Sequence, residues 1–285
     1  MENTTKTNEQ REFWFKRVGT SNIFYIYRNG DPNPIGEFDE SEVEVSNYHN
    51  DNKVYYNDIQ ADFEKFQCSS EYAVGHHVES DKLDSNSADS INYMKVQLNT
   101  LIYGCCNIMY SDHAIASKYA GRAIEWLSST DFYDAPASTK YHDSEPHGLL
   151  RHTLKVVNAV LDLSALPQFK DVDIAEVTLA AIVHDWCKIN FYEPYMKNVK
   201  NETTGVWEQV PSYRYKGSQY PLGHGVTSMF IASRLFKLTI DQAMAIRWHM
   251  GEYNVCDSER SDLMDANEKS PMVQMLQIAD RMAII

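Results

Sequence analysis

The sequence predicts a mainly α-helical protein with a small β-containing N-terminal region and a β-hairpin insertion. Three observations predict it. From Ile91 onward the apolar residues recur with a helical period; before about residue 80 they alternate with period two in short aromatic runs; and between 190 and 220 the helical pattern lapses.

In the N-terminal region the alternations Phe13/Phe15, Ile23/Tyr25/Tyr27, Val43/Val45 and Val54/Tyr56 predict short strands, separated by turn-rich stretches such as residues 28–34. Residues 79–90, ESDKLDSNSADS, are polar and predict a linker. A boundary near residue 85 follows, with 1–85 a β-rich region to which the sequence assigns no role and 86–285 a helical domain. Ile91, Met94, Leu98, Leu101 and Ile102 form one apolar stripe, and Ile115, Tyr119, Ala123, Ile124 and Leu127 a second. A third helix carries Leu150, Leu154, Val157 and Leu161, and a fourth Ile174, Val177, Ala181 and Ile182. Further helices are expected over 222–236, 240–249 and 272–285. In the insertion at about 190–220, Asn201 to Gly205 separate two runs rich in Val, Trp and Tyr, the pattern of a hairpin.

The chain has 285 residues, 43% of them hydrophobic, which suffices for a real core, and carries a formal charge of -14. The excess is uneven: residues 1–146 hold 24 acids against 12 bases, residues 147–285 hold 16 against 14. Such a field repels a polyanion, so duplex nucleic acid is not an expected partner, whereas a small nucleotide is compatible with it. Five cysteines, an odd number without C-x-x-C spacing, suggest free thiols in a reducing compartment. The N-terminus has no apolar core resembling a signal peptide, and no run is long enough to span a bilayer. The expectation is a cytoplasmic protein without a membrane partner; oligomeric state is left open.

The functional signal is an ordered series of potential metal ligands: His152, the pair His184-Asp185, His224, His249 and Asp280. Adjacent His and Asp on a helix point about 100° apart, so they share one ion only where a facing helix completes the site. His152 and Asp280 can supply that face. Asp185 has two oxygens and can bridge ions roughly 3.5–4 Å apart, with His224 and His249 on the second. Imidazole and carboxylate donors suit Mn, Fe, Co, Ni or Zn, expected as two divalent ions. Such a pair gives a metal-bound hydroxide at neutral pH and leaves positions open for phosphate oxygens.

The order H…HD…H…H…D resembles the HD-domain metal-dependent phosphohydrolase superfamily. Residues 147–153, HGLLRHT, are similar to its GGLLxHT motif, with His147 in place of the first Gly; residues 184–188, HDWCK, resemble HDxGK, with Cys187 in place of Gly. Gly223-His224 and Ala279-Asp280 resemble its later GH and AD motifs. The similarity covers about residues 100–285 and is greatest to uncharacterised bacterial and phage HD hydrolases and to exoribonuclease-like HD domains. It implies an HD-type helical bundle in which His152, His184, Asp185 and Asp280 set one metal ion and His224 and His249 the second. It also implies that Lys188 approaches substrate phosphate and acts with Asp185 in catalysis.

The expected activity is hydrolysis of a phosphoester in a small phosphorylated substrate, a nucleotide or a short or cyclic oligonucleotide. The expectation is a phosphodiesterase or phosphatase. Two other readings stay open: a one-metal nucleotidase or triphosphohydrolase, and a non-catalytic nucleotide- or partner-binding HD protein. Arg151, beside the first ligand, and Arg214 and Lys216, in the insertion, are candidates for substrate contact; Glu252 is a candidate for orienting His249. His49, His113, His142 and the pair His76-His77 read as ordinary side chains.

Overall fold

The computed structural model describes residues 73–253 and 255–284, and of the preceding region the backbone of four strands. The fold is mainly α, with a β-hairpin, as expected from the change of period at Ile91. Strands β1 (Phe13–Arg17), β2 (Ile23–Arg28), β3 (Pro34–Asp39) and β4 (Lys53–Tyr55) form one antiparallel sheet in the order β3-β2-β1-β4. Phe15 lies opposite Ile26 on one side and Val54 on the other. Strand β3 is not among the expected strands; it starts at Pro34, the last residue of the turn-rich stretch 28–34. Pro34 is its first residue on an edge strand, where a missing N–H is tolerated. The alternation at Val43 and Val45, and also His49 and Cys68, lie outside the described residues.

The helices are α1 (Ser80–Leu83), α2 (Ala88–Met109), α3 (His113–Ser128), α4 (Gly148–Ser164), α5 (Ile174–Val183), α6 (His224–Leu235), α7 (Ile240–Trp248), α8 (Arg260–Lys269) and α9 (Pro271–Met282). Two compact units result, one of residues 1–76 with 95–121, the other of 77–94 with 122–285. The stretch 79–90 is therefore no bare linker. It holds α1 and the start of α2, with Leu83 and Ser90 buried.

In the second unit α5 is the central helix, packed against α4, α6, α7 and α9. Its sequence explains this: IAEVTLAAIV is apolar all round, and every residue from Val177 to Val183 is buried. Burial of side chains such as Leu179 and Ile182 contributes about 1.5–3 kcal/mol each. Asp173 starts the helix by accepting a hydrogen bond from the Glu176 N–H at 2.9 Å. The α4 stripe of Leu150, Leu154, Val157 and Leu161 is buried as expected. Helix α7 opens with a capping box between Thr239 and Gln242, and α9 with Pro271 in its first turn.

The insertion is a hairpin of β5 (Tyr192–Lys200) and β6 (Trp207–Tyr215), in register from Tyr192↔Tyr215 to Lys200↔Trp207. The Asn201 side chain accepts from the Thr203 and Thr204 N–H groups, and Gly205 supplies the positive φ of 72° that closes the loop. Helix α8 escapes sequence reading because it is mostly polar, with only Leu263 and Ala266 buried.

Candidate metal centre

Helix ends place most of the series. His184 caps the C-terminus of α5 with Asp185 directly after it, His249 caps α7, and His224 opens α6. His152 comes from the middle of α4 and Asp280 from α9. A helix C-terminus leaves carbonyls without intrahelical partners, and here two imidazoles take them. The Nδ1 of His184 donates to the Ala181 carbonyl at 2.6 Å, and that of His249 to the Ile246 carbonyl at 2.8 Å. Both rings thereby keep a proton on Nδ1 and turn Nε2 inward, the orientation a metal ligand needs. Ile246 supplies the orienting bond for His249, for which the sequence offers Glu252 as a candidate; Glu252 is exposed.

Asp185 is 2% exposed and lies at the junction. Its Oδ2 faces His152 Nε2 at 3.5 Å and His184 Nε2 at 3.4 Å; its Oδ1 faces His224 Nε2 at 2.8 Å and His249 Nε2 at 3.7 Å. Asp280 Oδ1 completes the first group, 3.1 Å from His152 Nε2 and 3.6 Å from His184 Nε2. All six residues of the series are thus brought together. They divide into two sets that share one carboxylate. Cys187 joins the second set: its Sγ is 3.3 Å from His224 Nδ1, and Asp185, Cys187 and His224 can hold an ion just as His152, His184 and Asp185 can. Sequence alone predicts Cys187 as a free thiol in the place of a glycine, not as a ligand.

These residues fit a divalent cation. His152 Nε2 and His184 Nε2 face each other at 3.3 Å, and His249 Nε2 is buried without a hydrogen-bond partner. A buried acceptor left so is costly unless something positive meets it. Lys188 meets one edge of the cluster, with its Nζ 2.6 Å from Asp185 Oδ2. Burial alone would raise the Asp185 carboxyl, but Lys188 and His184 hold it well below the usual carboxylate range.

The histidines titrate apart. Burial pulls His184 down, yet Asp185 and Asp280 overcome it and hold His184 up at about 10. Burial likewise opposes His224, which Cys187 and Asp185 raise to about 10. His249, pressed by burial and by its cationic neighbours His184 and His224, falls to about 3. In the metal-free protein, stability from His184 and His224 is fully present below the ordinary value of 6.5 and is lost as pH rises through about 10. His249 has the opposite sign, its contribution being lost as pH falls from 6.5 towards about 3. Metal loading must displace the protons on His184 and His224. Titration calorimetry of metal binding in buffers of different ionisation enthalpy should therefore register proton release, with affinity falling by up to about tenfold per pH unit for each proton displaced. Binding without proton release would contradict this protonation pattern.

The other candidates are placed less centrally. Arg151 is 3% exposed and its guanidinium is fully engaged: Nε donates to the Leu83 carbonyl at 2.6 Å, Nη1 to Glu145 at 2.7 Å, and Nη2 to Asn86. It ties the 83–86 segment and the 143–145 loop to α4. Arg214 pairs with Glu193 at 2.7 Å on the exposed hairpin, and Lys216 is exposed just beyond β6. Arg247 pairs with Glu259 and stacks on Trp248. His77 pairs with Asp162 at the surface. His142, by contrast, lies against the ring of His152 with centroids 4.8 Å apart, and burial lowers it to about 4. No local pattern reveals this, because an irregular segment carries it there.

Two glycines allow the close approaches that hold the ligands. His147 has a φ of 65°, and the following Gly148 comes so near the Asp143 carbonyl that a Cβ would lie 2.0 Å from it. A Cβ on Gly225 would lie 2.1 Å from the Arg247 carbonyl oxygen, where α6 crosses the end of α7. Both neighbours are backbone and cannot rotate away. Gly225→Ala is expected to destabilise the fold by about 2–3 kcal/mol and to separate His224 from His249. Chemical denaturation measures the first effect and metal content the second; an unchanged midpoint would refute the packing argument.

Comparison with protein-family models, curated proteins and solved structures gave no match to this chain. Among the described residues, no helix is long and apolar enough to cross a membrane.

Proposed function

We propose that this chain is a metal-dependent phosphohydrolase of the HD type, a phosphodiesterase or phosphatase acting on a nucleotide or on a short or cyclic oligonucleotide. The observation that carries the reading is the division of Asp185, with Oδ2 turned to His152 and His184 and Oδ1 to His224 and His249. When bound, two divalent ions supply Lewis acidity towards phosphate oxygens and lower the pKa of water.

The remaining roles belong to the chain. Asp185 and Asp280 offset the positive charge of the centre, and the carbonyls of Ala181 and Ile246 fix the aim of His184 and His249. Lys188 is 13% exposed, and Asp185 raises its pKa against the lowering effect of burial, so it carries a permanent charge at the rim. An ammonium there meets a phosphate oxygen without leaving its carboxylate partner. Arg214 and Lys216 are exposed on or beside the hairpin, where Arg214 is already paired with Glu193. A one-metal nucleotidase or triphosphohydrolase would need His152, His184, Asp185 and Asp280 alone. It would leave the buried Nε2 of His249 unused, which favours the two-ion reading.

The test is hydrolysis by protein loaded in turn with Mn, Fe, Co, Ni or Zn, on mononucleotides, deoxynucleoside triphosphates, cyclic dinucleotides and short RNA. Turnover that disappears in Asp185→Ala is expected. A loaded protein that hydrolyses none of these but binds a nucleotide tightly would replace the enzyme with a binding protein.

A further inference from the structure

A cavity of about 270 Å³ lies between α3, the 186–190 turn, residues 218–220 and α6. Cys187, whose Sγ is 3.3 Å from His224 Nδ1, is one of its lining residues. The volume is just below the ~300 Å³ at which ligand pockets usually begin, so it suits part of a ligand whose remainder lies elsewhere. Its charge is unusual for a chain of formal charge -14: Arg122 and Arg234 line it and no carboxylate does. Arg122 donates to the Arg234 carbonyl at 3.2 Å, which ties α3 to α6, and among the described residues neither guanidinium has an acidic partner. The side-chain amides of Asn190 and Gln219 also line the cavity without a hydrogen-bond partner among the described residues. Asn190 is held in place by a left-handed φ of 55° and by its N–H on Asp131 at 2.6 Å. Trp126 adds an aromatic wall, backed by Trp186 at 5.2 Å between centroids.

We propose that this cavity binds a second phosphate of the substrate, remote from the one attacked, with Arg122 and Arg234 as its cations. The substrate class is then a nucleotide bearing phosphates at both ends of one nucleoside, as in a nucleoside 3′,5′-bisphosphate or a linear dinucleotide. This rests on the phosphohydrolase reading for the attacked phosphate, although the cavity itself is defined independently. Guanidiniums recognise phosphate through charge-assisted hydrogen bonds, and amides beside an indole can read a base or sugar edge.

The experiment is calorimetric titration of the metal-free protein with adenosine 3′,5′-bisphosphate and with 5′-AMP. The bisphosphate should bind at least about tenfold more tightly, the effect of one charge-assisted contact. Arg122→Gln and Arg234→Gln should each bring the ratio close to one. Both side chains are exposed, so the variants are expected to fold, and circular dichroism checks it. Lys170→Gln, away from the cavity, should leave the ratio unchanged. Equal affinity for the two probes in the wild type would overturn the proposal; so would a ratio that survives both arginine variants, or one that Lys170→Gln reduces as much. A protein that hydrolyses nothing yet keeps the arginine-dependent ratio retains this subsite and loses the enzymatic reading. Hydrolysis with a ratio of one retains the enzyme and removes the subsite.

Discussion

Asp185→Asn should strip the centre of both ions and lower turnover by at least about 10³-fold, equivalent to about 4 kcal/mol. Asparagine keeps the shape of the side chain and removes the charge that both ligand sets share. The same change should destabilise the metal-free protein. Lys188 lies 2.6 Å from the carboxylate and is mostly buried, and His184 and His224 are held protonated beside it. Removing one partner of such a buried group leaves uncompensated charge and costs about 3–5 kcal/mol. A paired variant separates the two effects: adding Lys188→Met should recover part of the stability and none of the metal. Plasma mass spectrometry and urea denaturation provide the measurements. Retention of both ions by Asp185→Asn would remove the shared carboxylate from the account.

The second large effect concerns stoichiometry. Wild-type protein is expected to load two ions per chain, His224→Ala one, and Asp185→Ala almost none. His224 is the informative position because its side chain is 31% exposed and its loss removes a ligand from one set only. His152 is fully buried, and His152→Ala should unsettle the other set, leaving the Asp280 carboxylate without its 3.1 Å partner. Turnover on a phosphodiester should fall by about 10²–10³-fold in His224→Ala, comparable to loss of one preorganised electrostatic contact in a transition state. Wild-type protein that takes up one ion, or His224→Ala that takes up two, would return the site to the one-metal reading.

Much of this was legible because helices obey a period and end at identifiable places. The stripe of α4 and the apolar run of α5 locate the core, and the ligands stand at helix ends or on buried faces where spacing along the chain translates into position. Cys187 was not legible as a participant, since its place beside His224 depends on how the 186–188 turn meets α6. Arg151 misled for the complementary reason. It adjoins His152 in sequence, but one residue along a helix is about 100° around it, and that rotation delivers the guanidinium to Leu83, Asn86 and Glu145. His142 and the packed stretch 79–90 depend on tertiary contacts between distant segments, for which local composition carries no signal.

The carbonyls of Ala181 and Ile246 make helix length a ruler for the metal centre. Each imidazole takes its direction from a residue three positions earlier in its own helix, so its aim is set by local geometry as soon as the helix forms. One residue inserted before His184 or His249 would swing the ring through about a quarter turn and point it away from Asp185, with the core otherwise intact. The hairpin loop at 201–205 can therefore vary in length without turning either ring. The number of residues in α5 and α7 cannot.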